Sequence, residues 1–336
     1  MTRPEREAVW WRREGADARC LLCPHGCLLA PGARGRCGAR VHVPERGLVA
    51  ATYGLISSLA IDPIEKKPLY HWNPGTLTLS LGSVGCSMDC PFCQNWRIAR
   101  PEVFEDVPVR YLGPEEPARL AEEAGVPSVS FTYNEPLVSW EYLVDASRVL
   151  KERRIPAIIV SNGLISEAPL QELTPLVAAA NIDLKACGEE QYRTLGGRLG
   201  TVQRTIALLI EAGVHVEVTF LLVPGLNDEM TPFLEMVQWL SELSPQPVLH
   251  ISRYFPNRRW TEGATPEALM AEYVQRASER LVYVYAGNGG DENSTLCRHC
   301  GKTLVLRRGF RVTAMNVDPA GRCMHCGNPT PVVMTL

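Results

Sequence analysis

The chain has 336 residues, 46% of them hydrophobic and 21% charged, enough apolar content for a sizeable core and enough length for one large domain with smaller attachments. Its formal net charge of −3 argues against a broad electrostatic footprint for nucleic acid or an anionic membrane. No apolar stretch approaches the roughly 20 residues needed to span a bilayer, and the charged start MTRPEREAVWWRREG lacks the apolar centre of a secretory signal, so a cytoplasmic protein is expected.

Twelve cysteines are many for such a protein; eleven fall into three tight groups and Cys187 stands alone. Disulfide frameworks belong to small secreted domains, so clustered cysteines here read as metal or iron–sulfur ligands. Residues 1–74 form a Cys-rich leading region with Cys20, Cys23, Cys27 and Cys37. Four thiolates suit zinc or a four-iron cube equally well, and His25 is an alternative ligand.

The middle section, 75–290, alternates strand and helix patterns. Residues 76–85 read as a strand entering a glycine turn, 113–125 as a helix, 128–133 as a strand and 139–153 as a helix. Further strands are expected at 155–163, 179–186, 214–225 and 247–255. Such alternation predicts a parallel α/β sheet with helical crossovers, either open and doubly wound or closed into part of a barrel. The strands are nearly continuous apolar runs, as when helices cover one face and a filled interior the other. Cys86, Tyr133 to Glu135, Ser161, Asn162, Asp183, Lys185 and His250 all fall at or near carboxyl ends of these strands. Parallel architectures build their sites there. For any single one of these residues a helix cap is an equally good reading. Together they point to one shared pocket.

After the first middle strand comes CSMDCPFC, 86–93, with the spacing C-x3-C-x2-C. Four-iron clusters usually take four thiolates. Three cysteines this close can each hold one corner of a [4Fe–4S] cube and leave the fourth iron open, as catalytic metal sites keep a position free. The amino and carboxylate groups of S-adenosylmethionine can chelate that iron. One transferred electron then breaks the sulfonium C–S bond and yields a 5′-deoxyadenosyl radical, the cofactor carrying the hard chemistry. The alternative is a zinc site that borrows a fourth ligand from elsewhere.

The tail, 291–336, carries Cys297-x2-Cys300-Gly and Cys323-x2-Cys326-Gly with 22 residues between the pairs. Two such knuckles set four thiolates tetrahedrally, and a segment this short needs a metal staple. A zinc ribbon is expected, with a rubredoxin-like iron site or an auxiliary cluster as alternatives. His299 and His325 are surplus to the four thiolates. Cys187 reads as a small buried hydrophobe, although its place after Lys185 also allows a catalytic thiol.

CSMDCPFCQNW resembles the core of glycyl-radical-enzyme activases. A narrower resemblance, to the radical SAM enzymes of the AmmeMemoRadiSam system, runs through nearly the whole chain. It rests on CLLCPHGCL, SLAIDPIEKKPLYHWNPG (58–75), FTYNEPLVSW (131–140), NIDLKA (181–186), LLVPGLND (221–228), HISRYFPN (250–257) and the paired-cysteine tail. The resemblance implies a partial (β/α)6 barrel with S-adenosylmethionine across the strand ends and Cys86, Cys90 and Cys93 as cluster ligands. Tyr133, Asn134 and Glu135 stand where relatives carry a glycine-rich segment ending in glutamate, which meets the methionine amino group; this chain lacks those glycines. Ser161 and Asn162 match the strand end facing ribose and methionine. Asp183 and Lys185 match a run that meets the methionine carboxylate, with a monovalent cation at Asp183, and His250 matches a histidine near the nucleoside. A carboxylate for an ammonium and a lysine for a carboxylate also suit a zwitterion without the family. The implied partners are an electron donor such as flavodoxin or ferredoxin, an AMMECR-type protein and a Memo-like protein.

Two other function classes compete with a radical enzyme acting on an unidentified substrate or activating a glycyl-radical enzyme. For the radical enzyme, Arg258, Arg259, Arg307, Arg308 and Arg311 could form a basic patch for a nucleic-acid substrate, although such arginines more often read as solvated surface. One competing class is a multi-zinc scaffold or nucleic-acid-binding protein in which all three cysteine groups are structural. The other, a doubly wound methyltransferase, normally has a glycine-rich turn where this chain places cysteines.

Overall fold

The computed structural model describes residues 6–100, 107–289 and 292–335. Its centre is an eight-stranded sheet: β1 (Ser58–Pro63), β2 (Leu77–Gly82), β3 (Val129–Phe131), β4 (Ala157–Ser161), β5 (Ala179–Asp183), β6 (His215–Leu222), β7 (Val248–Arg253) and β8 (Val284–Gly287). The six expected middle strands are all present as β2 to β7. Neighbours from β2 to β8 pair in parallel, and β1 pairs antiparallel with β2.

Strand order in space follows strand order in sequence without reversal. A doubly wound sheet reverses direction at a switch point; this one does not, so every right-handed crossover packs its helix on the same face. The sheet therefore curls as a partial barrel. The helix Trp140–Glu152 covers one stretch of the outer face with Trp140, Leu143 and Leu150, and Glu116–Ala124 covers another with Ala118 and Ala121. The second of these stops at Gly125, whose φ of 64° closes the left-handed cap.

The inner face departs from the apolar filling expected. It carries Thr78, Ser130, Asn181, Glu217, Thr219 and His250, all buried. Hydrogen bonds make that burial tolerable: Thr78 Oγ1 to Ser130 Oγ at 2.8 Å and Thr219 Oγ1 to Asn181 Oδ1 at 2.9 Å. Along β2, β3 and β6 these inner polar residues alternate with buried apolar outer ones, Thr78 and Ser80 with Leu79 and Leu81, Ser130 with Val129 and Phe131, and Glu217 and Thr219 with Val216, Val218 and Phe220.

Residues 64–73 plug the barrel floor, with Ile64, Leu69 and Trp72 packed on Ile158 and Ala179. The boundary drawn at residue 74 thus falls behind β1 and this plug, both of which belong to the barrel. The boundary at 290/291 lies outside the described residues. The leading region before β1 forms two small antiparallel sheets, and the tail forms one, from Glu292–Leu296, Thr303–Arg308 and Arg311–Met315. Among the described residues no helix is long and apolar enough to cross a membrane.

Candidate functional site

A cavity of about 570 Å³ opens at the carboxyl end of the barrel strands. Cys86, Cys90 and Cys93 border it from the loop after β2. Tyr133, Asn134 and Glu135 border it from the end of β3, Ser161 and Asn162 from β4, and Asp183 and Lys185 from β5. Ten of the eleven residues expected in the pocket therefore meet around one space.

Their hydrogen bonds distinguish them. Glu135 is 2% exposed; Oε1 accepts from Ser161 Oγ (2.7 Å) and the Leu137 amide (3.0 Å), and Oε2 from the Asn162 amide (2.7 Å). Burial pushes its carboxyl pKa up to about 7, although these three donors pull the other way. Asn162 turns its side-chain amide to Ser87 Oγ (3.2 Å) and towards Cys86 Sγ (3.6 Å). Lys185 Nζ meets Asp183 Oδ2 at 2.9 Å. Burial alone would lower the Lys185 pKa, but Asp183 and Cys90 hold the ammonium above the ordinary lysine range. A surface pair would face solvent; this one faces the cysteine loop.

Tyr133 and Asn134 do structural work. Asn134 accepts from the Ser83 amide and donates to Ser83 Oγ and Gly85 O, tying β3 to the cysteine loop. Tyr133 takes a φ of 72° and donates its hydroxyl to Asp62 at 2.5 Å. Gly82 makes room for its ring, which a Cβ there would meet at 3.0 Å.

His250 corrects an expectation: it does not line the cavity. On β7 the cavity residue is Ser252, two positions on and so on the same face but nearer the mouth. His250 sits in the layer beneath, with Nε2 2.6 Å from Glu217 and its ring edge-on to Tyr70. Cys187 is also outside the cavity lining, its Sγ 3.7 Å from Met236 Sδ.

Sequence reasoning missed several residues of the cavity lining. Lys66 and Lys67 reach it from the plug, both bound to Asp62, and Lys67 lies 4.8 Å from the Tyr133 ring centre. The KK pair within 58–75 was the available signal. Arg258 is the clearest omission. Its Nη1 is 2.6 Å from Asp89 Oδ1 and 2.9 Å from Cys90 O, inside the cysteine loop. Arg259 reaches the same aspartate at 3.1 Å. The proposed basic patch therefore dissolves, because Arg258 is used here and Arg307 is fully buried beneath the barrel. Arg258→Ala is expected to speed loss of metal from the loop roughly 10- to 100-fold, as for outer supports of metal ligands; iron release to a chelator at fixed pH measures it.

At the C-terminus the four thiols of Cys297, Cys300, Cys323 and Cys326 all lie within 4.8 Å of one another. The pairs Cys297–Cys326 and Cys300–Cys323 are 3.8 Å apart. That closeness suits one tetrahedral ion.

The sequence model described as the radical SAM superfamily matches residues 81–239, from the end of β2 through the cysteine loop and the next four strands. The chain is 36% identical to an uncharacterized protein of Methanocaldococcus jannaschii, over 98% of this chain and 100% of the relative. Among solved structures it is similar to a domain of pyruvate-formate lyase-activating enzyme from Bacteroides vulgatus, at 18% identity and a TM-score of 0.42, covering 48% of this chain and 99% of that one. It is also similar to a radical SAM methyltransferase from Sphaerobacter thermophilus, at 17% identity and a TM-score of 0.49, covering 63% and 66% of the two chains. With three cysteines on the loop that follows the first parallel strand, and the superfamily model lying across that loop, residues 81–239 form a radical SAM superfamily domain.

Proposed function

We propose that this enzyme reductively cleaves S-adenosylmethionine at a [4Fe–4S] cluster held by Cys86, Cys90 and Cys93 and takes hydrogen from a substrate with the resulting radical, as a member of the AmmeMemoRadiSam system. One observation carries the reading: the three thiols of a single loop border the same cavity as an ammonium acceptor, Glu135, and a lysine, Lys185. The site fits both groups. Three cysteines leave one corner of a cube without a protein ligand, and the cavity that adjoins them has the volume of a drug-sized ligand site.

When bound, cluster and cofactor supply a 5′-deoxyadenosyl radical. The chain's own residues supply position and charge. Glu135 retains a lone pair on Oε2 beyond the Asn162 bond and can accept from the methionine ammonium. Lys185 can offer its ammonium to the carboxylate, and Asp183 holds it in place. Asn162 braces Cys86 from the side. Arg258 and Asp89 hold the loop backbone, so that the thiols keep their spacing while a ligand enters. The partners in this reading are a flavodoxin- or ferredoxin-like electron donor, an AMMECR-type protein and a Memo-like protein. Zinc is the ion proposed for the C-terminal thiols.

The test is anaerobic reduction with dithionite in the presence of S-adenosylmethionine. Formation of 5′-deoxyadenosine is expected, and its absence from protein with a full iron content would sink the reading. A pH dependence should accompany it. With its pKa raised to about 7, Glu135 becomes protonated below that value and loses the negative charge that strengthens its bond to an ammonium. Cofactor affinity should therefore weaken as pH falls through about 7. In Glu135→Gln this dependence should vanish and affinity should drop about tenfold, the worth of one hydrogen bond to a charged group. Calorimetric titration across pH 6 to about 8 checks both.

A further inference from the structure

The leading region brings Cys20, Cys23, Cys27 and Cys37 to one place, where they line a mainly apolar cavity of about 20 Å³ against Leu137 and Leu164. The same chain provides a standard for comparison. The C-terminal thiols converge within 4.8 Å, as four ligands at roughly 2.3 Å from a single zinc must. Among the described residues the leading thiols do not converge in this way, and neither do Cys86, Cys90 and Cys93. Four sulfurs gathered on one zinc leave no space between them. The leading four border space above the 10–15 Å³ or so that a water-sized body needs.

A second, independent feature points to an anionic occupant. Arg40 lines the same cavity and is 1% exposed. Its Nη1 lies 2.7 Å from Glu141 in an ion pair, while Nε and Nη2 have no hydrogen-bond acceptor. Buried guanidinium donors left unpaired are costly. Sulfur acceptors of a negatively charged metal–thiolate group in that cavity would use them.

We propose that Cys20, Cys23, Cys27 and Cys37 hold a second [4Fe–4S] cluster, ligated by all four thiolates, rather than zinc. Full ligation leaves it no open iron, so it is not a second site for S-adenosylmethionine. It lies beside the first: His25, between Cys23 and Cys27, has Nε2 2.8 Å from the carbonyl oxygen of Ser87, the residue after Cys86.

The experiment measures iron, zinc and Mössbauer spectra on the full chain purified without oxygen. Wild type is expected to carry about eight irons and one zinc. The triple variant Cys86→Ala, Cys90→Ala, Cys93→Ala leaves the leading set intact and should keep about four irons with the spectrum of a cube. A triple variant with two zincs and no iron overturns the proposal, as does a wild type with about four irons and two zincs, which decides the matter if the triple variant does not fold. Failure of the proposed function looks different: iron content unchanged on removing the trio, while the leading cluster stands.

Discussion

Cys90→Ala is expected to lose the iron of the catalytic loop and to lower 5′-deoxyadenosine formation by more than about 100-fold, the range already reached when only an outer support of a metal ligand is removed. Cys90 is 8% exposed at the cavity wall, and its carbonyl is the one Arg258 holds. Two remaining thiols offer a cube only two corners. Burial pushes the Cys90 thiol up to about 12, with Lys185 acting in the opposite sense, so the free thiol stays protonated and must give up its proton to metal. Assembly should therefore run better at mildly alkaline pH. Cys187→Ala is the control. That sulfur packs on Met236 outside the cavity lining, and the variant should keep both iron and deoxyadenosine formation. Loss of activity in Cys187→Ala with iron retained would revive its role as a catalytic thiol. Iron content and chromatographic quantification of deoxyadenosine are the readouts.

Glu217→Leu is expected to cost about 3–5 kcal/mol of stability, the usual penalty for removing one side of a buried ion pair. Glu217 lies on β6 at the barrel centre with no exposure. One oxygen accepts from the His71 amide (2.7 Å) and lies 3.0 Å from His215 Nε2; the other accepts from the Tyr70 amide (3.0 Å) and lies 2.6 Å from His250 Nε2. It therefore joins two strands to the plug that closes the floor. Glu217→Gln keeps the shape and one acceptor oxygen and should cost less, about 1–3 kcal/mol. Urea unfolding midpoints, with slopes compared, separate the two.

The pH dependence of that stability has a definite sign. Burial would raise the Glu217 pKa, but His215 and His250 hold it well below its ordinary 4.5 in the folded chain. A carboxylate depressed by folding contributes fully above 4.5 and loses that contribution as pH falls towards the folded value. Wild type should accordingly lose more stability on acidification below about pH 5 than Glu217→Leu does. Equal acid limbs would mean that the histidines do not hold this carboxylate charged.

The plug and the tail meet at the same floor. Arg307, fully buried, donates to Thr295 Oγ1 at 2.9 Å and to the carbonyl of Tyr70, with its guanidinium 4.4 Å from the Tyr70 ring centre. In the sequence this arginine belongs to a run of basic residues that reads as surface. Its burial depends on a hairpin about 240 positions away from the plug it reaches, and no local pattern reports that.

The six parallel strands, the two covering helices and the cysteine loop were legible because each is a local signal: a β-rich run, a three-to-four periodicity, a C-x3-C-x2-C spacing. So were Glu135, Asn162, Asp183 and Lys185, since strand ends in a parallel sheet all point to one mouth. Other features needed the tertiary structure. Partial barrel was separated from doubly wound sheet by the unreversed strand order. His250 was separated from the cavity by one inward layer, because residues two apart on a strand share a face but not a depth. Arg258 came to Cys90 across 168 residues. Spacing already set the C-x3-C-x2-C loop and the paired knuckles of the tail apart, but it left the leading four thiolates suited equally to zinc or a cube. Only the tertiary structure shows that the tail sulfurs converge as one ion requires while the leading ones do not.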